Sequence, residues 1–219
     1  MSSFNSTTAL ITGASRGLGY QLAKLLALKG IHIIGLARTI GGLEDLSDEI
    51  TAKNGSATMI PLNLENDNEL NNLAQTISMR WRSIDIFIHC ASIPSPTSPV
   101  TSISLKDFDK SLTINTRATL KLIQIMDPFI KVSRLKTAIF IDDKNSGKFL
   151  SSYASSKAAT REIVDSYKEE SKRIGVTAMT FIPLPMRTSL RARFYPGESR
   201  QNLVSCESQA KKLISMVIL

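Results

Sequence analysis

Six runs along the chain are apolar almost throughout: Ala9 to Thr12, Ile31 to Leu36, Thr58 to Leu62, Ile84 to His89, Thr137 to Ile141 and Val176 to Ile182. Such runs predict strands buried on both faces. Between them, residues 18–29, 43–53, 69–82, 106–132 and 152–174 carry apolar positions at helical spacing and predict helices. Strand alternating with helix implies right-handed crossovers and an α/β fold, a doubly wound parallel sheet of about six strands with helices on both faces. Ligands of such sheets sit beyond the carboxyl ends of the strands, so the residues that follow each strand are where chemistry is sought.

The first of these junctions is rich in glycine. Residues 12–19 read Thr12-Gly13-Ala14-Ser15-Arg16-Gly17-Leu18-Gly19, between an apolar strand and a helix opening near Gly17. Strand, glycine turn and helix together present unpaired N–H groups and a positive helix end to a pyrophosphate. Gly13 suits a tight turn, Gly17 a close approach of phosphate, and Gly19 close packing of helix on strand. Ser15, Arg16 and Leu18 share the loop. An NAD site places an acid about 20 positions further on, at the end of the second strand, to bind the ribose 2′-hydroxyl. This chain has Arg38-Thr39 there, so Arg16 and Arg38 can clamp a 2′-phosphate, and NADP is expected ahead of NAD. Asn63-Leu64 after the third strand and Ala91-Ser92 after the fourth complete the expected cofactor-binding residues, with turn chemistry as the alternative for Asn63. His89 is expected to be a hydrogen-bonded strand histidine.

Composition narrows the class. The chain has 219 residues, 42% hydrophobic and 21% charged, which suits one substantial α/β core without a linker. A single domain over 1–219 is expected, with its core at 7–190 and a shortened cover segment at 191–219. Its +8 net charge comes from 27 Lys and Arg against 19 Asp and Glu, scattered without a basic run. That scatter argues against nucleic acid and fits a phosphorylated ligand. The amino end lacks the basic and apolar regions of a targeting segment, and no apolar run reaches the roughly 18 residues of a membrane span. The expected location is the cytoplasm, with no membrane partner. Cys90 and Cys206 have no metal-like spacing, so free thiols and no metal are expected.

Tyr153 and Lys157, four residues apart, fall on one face of the last long helix. A cation beside a phenol favours the phenolate, which makes the pair capable of acid–base work.

The glycine turn, Asn115 in Ile114-Asn115-Thr116, Tyr153-x-x-x-Lys157 and Pro183-x-x-x-x-Thr188 stand in the order and spacing of the short-chain dehydrogenase/reductase family. From about residue 7 to 190 the chain resembles a member. The resemblance implies a Rossmann-fold oxidoreductase that transfers hydride between NAD(P)(H) and a small-molecule carbonyl/alcohol pair, working as a homodimer or homotetramer. By the same resemblance Tyr153 is the general acid/base, and Lys157 lowers its pKa and holds the nicotinamide ribose. Asn115 anchors a proton-relay water, and Thr188 contacts the nicotinamide carboxamide or the phosphates.

Several positions depart from the family pattern. The family's Asn-Asn-Ala-Gly is His89-Cys90-Ala91-Ser92, its Pro-Gly after the sixth strand is Pro183-Leu184, and no seventh strand follows the helical tract at 208–216. At the fifth strand Ser-Ser becomes Asp142-Asp143, and the loop to Tyr153 is shorter than usual. The missing serine normally donates to the developing oxyanion, and an ionised Asp143 repels that charge. Three alternatives follow: Asp143 is protonated, or Ser146, Ser151 or Ser152 takes over, or the chain is a degenerate nucleotide-binding relative.

Overall fold

The computed structural model describes residues 7–217. Six strands form one sheet: β1 (Thr8–Thr12), β2 (His32–Ala37), β3 (Ala57–Pro61), β4 (Ile86–His89), β5 (Thr137–Ile141) and β6 (Thr177–Phe181), in the order β3-β2-β1-β4-β5-β6. All pairings are parallel, and β1 lies between β2 and β4, with Ile11 opposite Gly35 on one side and Ile88 on the other. The chain therefore reverses its direction of winding at β1, and a crevice opens there beyond the carboxyl ends of β1 and β4. The predicted strands agree with those observed to within one or two residues.

Alternation along the strands builds two cores. Ala9, Ile11, Ile33, Ile86 and Ile88 face one side, where they meet α1 (Gly17–Ala27), α2 (Ile40–Thr51) and α8 (Cys206–Val217). Leu10, Ile34, Phe87, Ala138 and Phe140 face the other, against α3 (Asp67–Arg80), α5 (Ala118–Lys131) and α6 (Ser151–Lys172). Every residue of β1 and β4 is buried, whereas β3 and β6 at the edges are half open. The period of two along each strand thus separates two helical layers.

Helix α3 starts where its caps dictate. Asn66 accepts hydrogen bonds from the N–H groups of Asn68 (3.0 Å) and Glu69 (3.4 Å), and donates through Nδ2 to Glu69 Oε1 at 2.8 Å. This reciprocal cap moves the start from the expected residue 69 to Asp67.

The long helix expected at 106–132 is three pieces in one continuous run: α4 (Leu105–Ser111), a π-helical turn at Leu112–Arg117, and α5. Wide turns of this kind insert a residue into the ladder and recur at functional sites. Asn115 lies within it. Helix α7 (Ser189–Phe194) falls outside the periodic segments read from sequence; six residues are too few to show a period. Among the described residues no seventh strand extends the sheet, and α8 packs on α1 through Ala210, Leu213 and Ile214.

Leu22 is wholly buried between α1 and the sheet. Leu22→Ala should lower unfolding stability by about 2–5 kcal/mol, read from the urea midpoint at unchanged m. A loss under about 1 kcal/mol would show that α1 does not anchor this core.

Candidate active site

The cleft beyond β1 and β4 encloses about 1130 Å³. Gly13, Ser15, Arg16, Gly17, Leu18 and Gly19 line one end, with Arg38, Thr39, Asn63 and Leu64 beside them. Ala91, Ser92, Asp143, Tyr153, Lys157 and Thr188 line the rest. Asn115 is the one expected site residue that lies behind the wall, 2% exposed. The structure also brings in Asp142, Lys144, Asn145, Leu184, Arg187, Leu190, Arg191 and Arg193. These belong to loops and a short helix whose place in the cleft no local pattern announces.

The glycine loop has the shape a dinucleotide requires. Gly13 holds φ +69°, and a Cβ there would meet Ala91 Cα and N at 3.0 Å. Gly17 holds φ +62° with open space before it, the nearest atom being Thr188 Cγ2 at 3.8 Å. A Cβ on Gly19 would fall 2.5 Å from the Gly13 carbonyl oxygen, so only glycine lets α1 lie this close. No side chain caps α1, and the first-turn N–H groups of Gly17 and Leu18 are left for a ligand. Arg16 and Arg38 are exposed and form no ion pair among the described residues. The loop, the helix end and two unpaired guanidinium groups fit a phosphorylated dinucleotide.

Turn chemistry claims part of Asn63, whose Oδ1 accepts from Glu65 N at 3.2 Å while its N–H donates to Glu69 at 2.6 Å. Thr188 likewise caps α7, accepting from Arg191 N at 3.1 Å, with its own O–H left to donate.

A chain of hydrogen bonds ties the cleft floor together. Thr119 Oγ1 donates to the Asn115 carbonyl (2.7 Å), so His89 Nε2, 2.8 Å away, must donate to Thr119. His89 Nδ1 then accepts from Thr12 Oγ1 (2.8 Å), which itself accepts from the N–H groups of Cys90 and Ala91 (3.2 Å each). Burial lowers the His89 pKa to about 3, so the imidazole is a neutral strut between β1, β4 and α5.

The side chain of Asn115 is fully engaged. Oδ1 accepts from Ile93 N (2.9 Å) and Ser92 Oγ (3.2 Å), and Nδ2 donates to Ile93 O (3.1 Å) and Ser156 Oγ (3.0 Å). Its carbonyl accepts from the Thr119 hydroxyl at 2.7 Å, and the Thr160 hydroxyl lies 2.8 Å from it and 2.7 Å from the Ser156 carbonyl.

Tyr153 and Lys157 share one face of α6 as expected, but their charges are deployed differently from the expectation. Lys157 Nζ donates to the Ile141 carbonyl at 3.2 Å and lies 3.4 Å from Asp142 Oδ1, while Arg161 Nε donates to Asp142 Oδ2 at 2.8 Å. Lys157 is thus turned toward Asp142. The phenol of Tyr153 donates to Asp143 Oδ2 at 2.9 Å, and Asn145 Nδ2 donates to the same oxygen at 3.0 Å. Burial first, and then the Asp143 carboxylate, push the phenol well above its ordinary pKa, against the opposing pull of the Ser92 hydroxyl. Lowering of the tyrosine by Lys157 is therefore not the dominant effect here. Asp143 is itself raised, chiefly by burial, against the opposing pull of Lys157 and of the phenol hydrogen bond.

None of the three serines weighed as substitutes reaches the cleft. Ser152 Oγ donates to Ser95 Oγ at 3.2 Å, Ser146 is exposed to solvent, and the buried Ser151 hydroxyl has no partner. Helix α7 roofs the tyrosine: Phe194 packs against Tyr153 with ring centroids 4.8 Å apart and planes tilted by 53°, and Leu190 joins the cluster. Arg191 of the same helix holds Glu198 at 2.7 Å and reaches Asn145 Oδ1 at 3.2 Å.

Comparison with known proteins agrees with this geometry. The chain belongs to the short chain dehydrogenase family, whose model matches residues 7–199. It is 32% identical over 179 residues to the very-long-chain 3-oxoacyl-CoA reductase of Pyricularia oryzae, covering 77% of this chain and 53% of that protein. Identity to the ketoacyl reductase HetN of Nostoc is 27% over 186 residues, covering 84% and 64%. The chain thus spans less than two thirds of the length of these two relatives. Among solved structures, the Escherichia coli oxidoreductase yciK superposes with a TM-score of 0.89 at 23% identity, covering 98% of this chain and 90% of that one. A metagenomic short-chain oxidoreductase in complex with NADP gives 0.82 at 21% identity, covering 98% and 92%.

The buried Tyr153 should remain un-ionised when the protein is titrated through the ordinary tyrosine range near pH 10. Ultraviolet difference titration of wild type against Tyr153→Phe checks this. A tyrosinate step at or below pH 10 that vanishes in the variant would contradict the assigned environment.

Proposed function

We propose that the chain is an NADP(H)-dependent reductase of carbonyl compounds. One observation carries the reading: a glycine loop with two arginines that have no ion-pair partner among the described residues opens into the same cleft as the Tyr153 phenol. Arg16 and Arg38 hold the 2′-phosphate, and the α1 amino end holds the pyrophosphate. Lys157 and Thr188 face the nicotinamide half. The cofactor supplies the hydride; Tyr153 supplies the proton that neutralises the developing alkoxide. Phe194 and Leu190 keep water from the phenol, which strengthens each polar contact made there. Relatives named for reducing 3-oxoacyl-CoA and ketoacyl groups suggest a 3-oxoacyl thioester as the first carbonyl to test. The second reading, a nucleotide-binding relative without turnover, is favoured by the diversion of Lys157 to Asp142. Turnover of any carbonyl with loss of NADPH absorbance excludes it.

Fluorescence titration should show NADPH binding more tightly than NADH, and Arg38→Asp should reverse that order. Equal affinity of the wild type for both cofactors would remove the arginine clamp.

In a thioester or ketone assay, Tyr153→Phe should lower kcat by about 10²–10⁴-fold while the NADPH Kd stays within twofold. A rate within threefold of wild type would take Tyr153 out of the proton transfer.

A further inference from the structure

Two polar groups of the site, Asn115 and Lys157, are already engaged by protein partners. The Asn115 carbonyl already accepts from the Thr119 hydroxyl, and its side chain is spent on Ile93, Ser92 and Ser156. Lys157 is held by Ile141 and Asp142. The remaining group in contact with the phenol that can carry a transferable acidic proton is Asp143, whose Oδ2 is 2.9 Å from Tyr153 Oη and whose Oδ1 is buried without a partner. A buried carboxylate oxygen lacking any donor is costly, and a proton on the group removes that cost.

We propose that Asp143 holds the proton that replenishes Tyr153, so that the pair, and not the phenol alone, delivers a proton to the substrate oxygen. This rests on the reductase reading above. When Asp143 is ionised, Tyr153 donates to Oδ2, and its only O–H is committed. When Asp143 is protonated, the carboxylic acid donates to Oη, and the phenol O–H is released toward the cleft. The hydride taken up by the carbonyl carbon comes from the reduced cofactor, and the C=O π pair moves onto oxygen. Tyr153 then loses its proton to that oxygen, and Asp143 loses its own to the phenolate. The products are the alcohol, the oxidised cofactor, an intact phenol and an Asp143 carboxylate, which regains a proton from water in the cleft. Asn145 keeps Oδ2 aimed at the phenol, and Arg191 of α7 holds Asn145 in turn.

The charges that face Asp143 set the direction of its titration. Asp142 beside it raises its pKa; Lys157 from α6 lowers it; and the Tyr153 hydrogen bond lowers it. Arg161 donates to its backbone carbonyl at 3.4 Å, and Arg191 approaches from α7. Burial outweighs the lowering influences, so the acid form persists above the ordinary aspartate value of 3.8. Since the acid form is the active one, the rate is full below the Asp143 pKa and falls as pH rises through it.

The test begins with the full chain free of cofactor. Infrared difference spectra of wild type minus Asp143→Asn should show a protonated-carboxyl band whose midpoint lies above pH 3.8. Tyr153→Phe should move that midpoint higher still, because it removes a hydrogen bond that favours the carboxylate. A band that titrates at the ordinary aspartate value, or that Tyr153→Phe leaves in place, would overturn the proposal whether or not a carbonyl is ever reduced. With an active substrate, Asp143→Asn should lower kcat about ten- to a hundredfold with the NADPH Kd unchanged, and flatten the alkaline fall in rate. Asp143→Glu should restore part of both. Wild-type kcat and pH profile in Asp143→Asn would also refute it, whereas failure of the reductase reading would show as no turnover by wild type with the infrared result intact.

Discussion

Everything at the bottom of the cleft depends on how two adjacent carboxylates are accommodated where β5 ends. Asp142 is almost fully enclosed, and a charge in such a place is tolerated only when paired. Lys157 and Arg161, one helical turn apart on α6, pair it from the same side. Tyr153 stands one turn earlier on the same helix. Asp143, next in the chain and past the end of β5, accepts from the Tyr153 phenol at 2.9 Å. The two aspartates therefore divide the labour: one anchors the helix, the other meets the tyrosine.

The scaffold around them is stiff for an equally local reason. Thr12, His89, Thr119 and Asn115 form one hydrogen-bonded line from the end of β1 through β4 to the π-helical turn. Each side chain in the line is hydrogen-bonded, and the neutral imidazole costs nothing in buried charge. Asn115 extends the line to the loop after β4 and to Ser156 on α6. The glycine loop, the Ser92 loop and the tyrosine helix are consequently held relative to one another by polar contacts, while the two apolar cores hold the layers.

Against that rigid floor the roof is lightly built. Helix α7 is short, and it covers Tyr153 chiefly through Phe194, Leu190 and the Arg191 contacts to Asn145 and Glu198. Few buried apolar contacts and exposed neighbours characterise the parts of proteins that open most readily. The exposed Ile182 and Leu184 line the same cleft beside it.

The sheet, its long helices and the glycine loop were legible in the linear chain, because each is a local property. Strand burial shows as unbroken apolar runs, helices as a repeat near 3.6, and the tight turn after β1 as closely spaced glycines. Arg38 in place of an acid is equally readable, since its position follows from strand length alone. What the chain alone left open was the state of Tyr153, the use of Lys157, and which hydroxyl, if any, replaces the family serine. Those depend on distances between residues far apart or on different elements: Lys157 with Asp142, Asn115 with Ser156 and Ile93, Phe194 with Tyr153. Ionisation and hydrogen bonding respond to burial and to neighbours a few ångströms away, and only the packed chain brings those neighbours together.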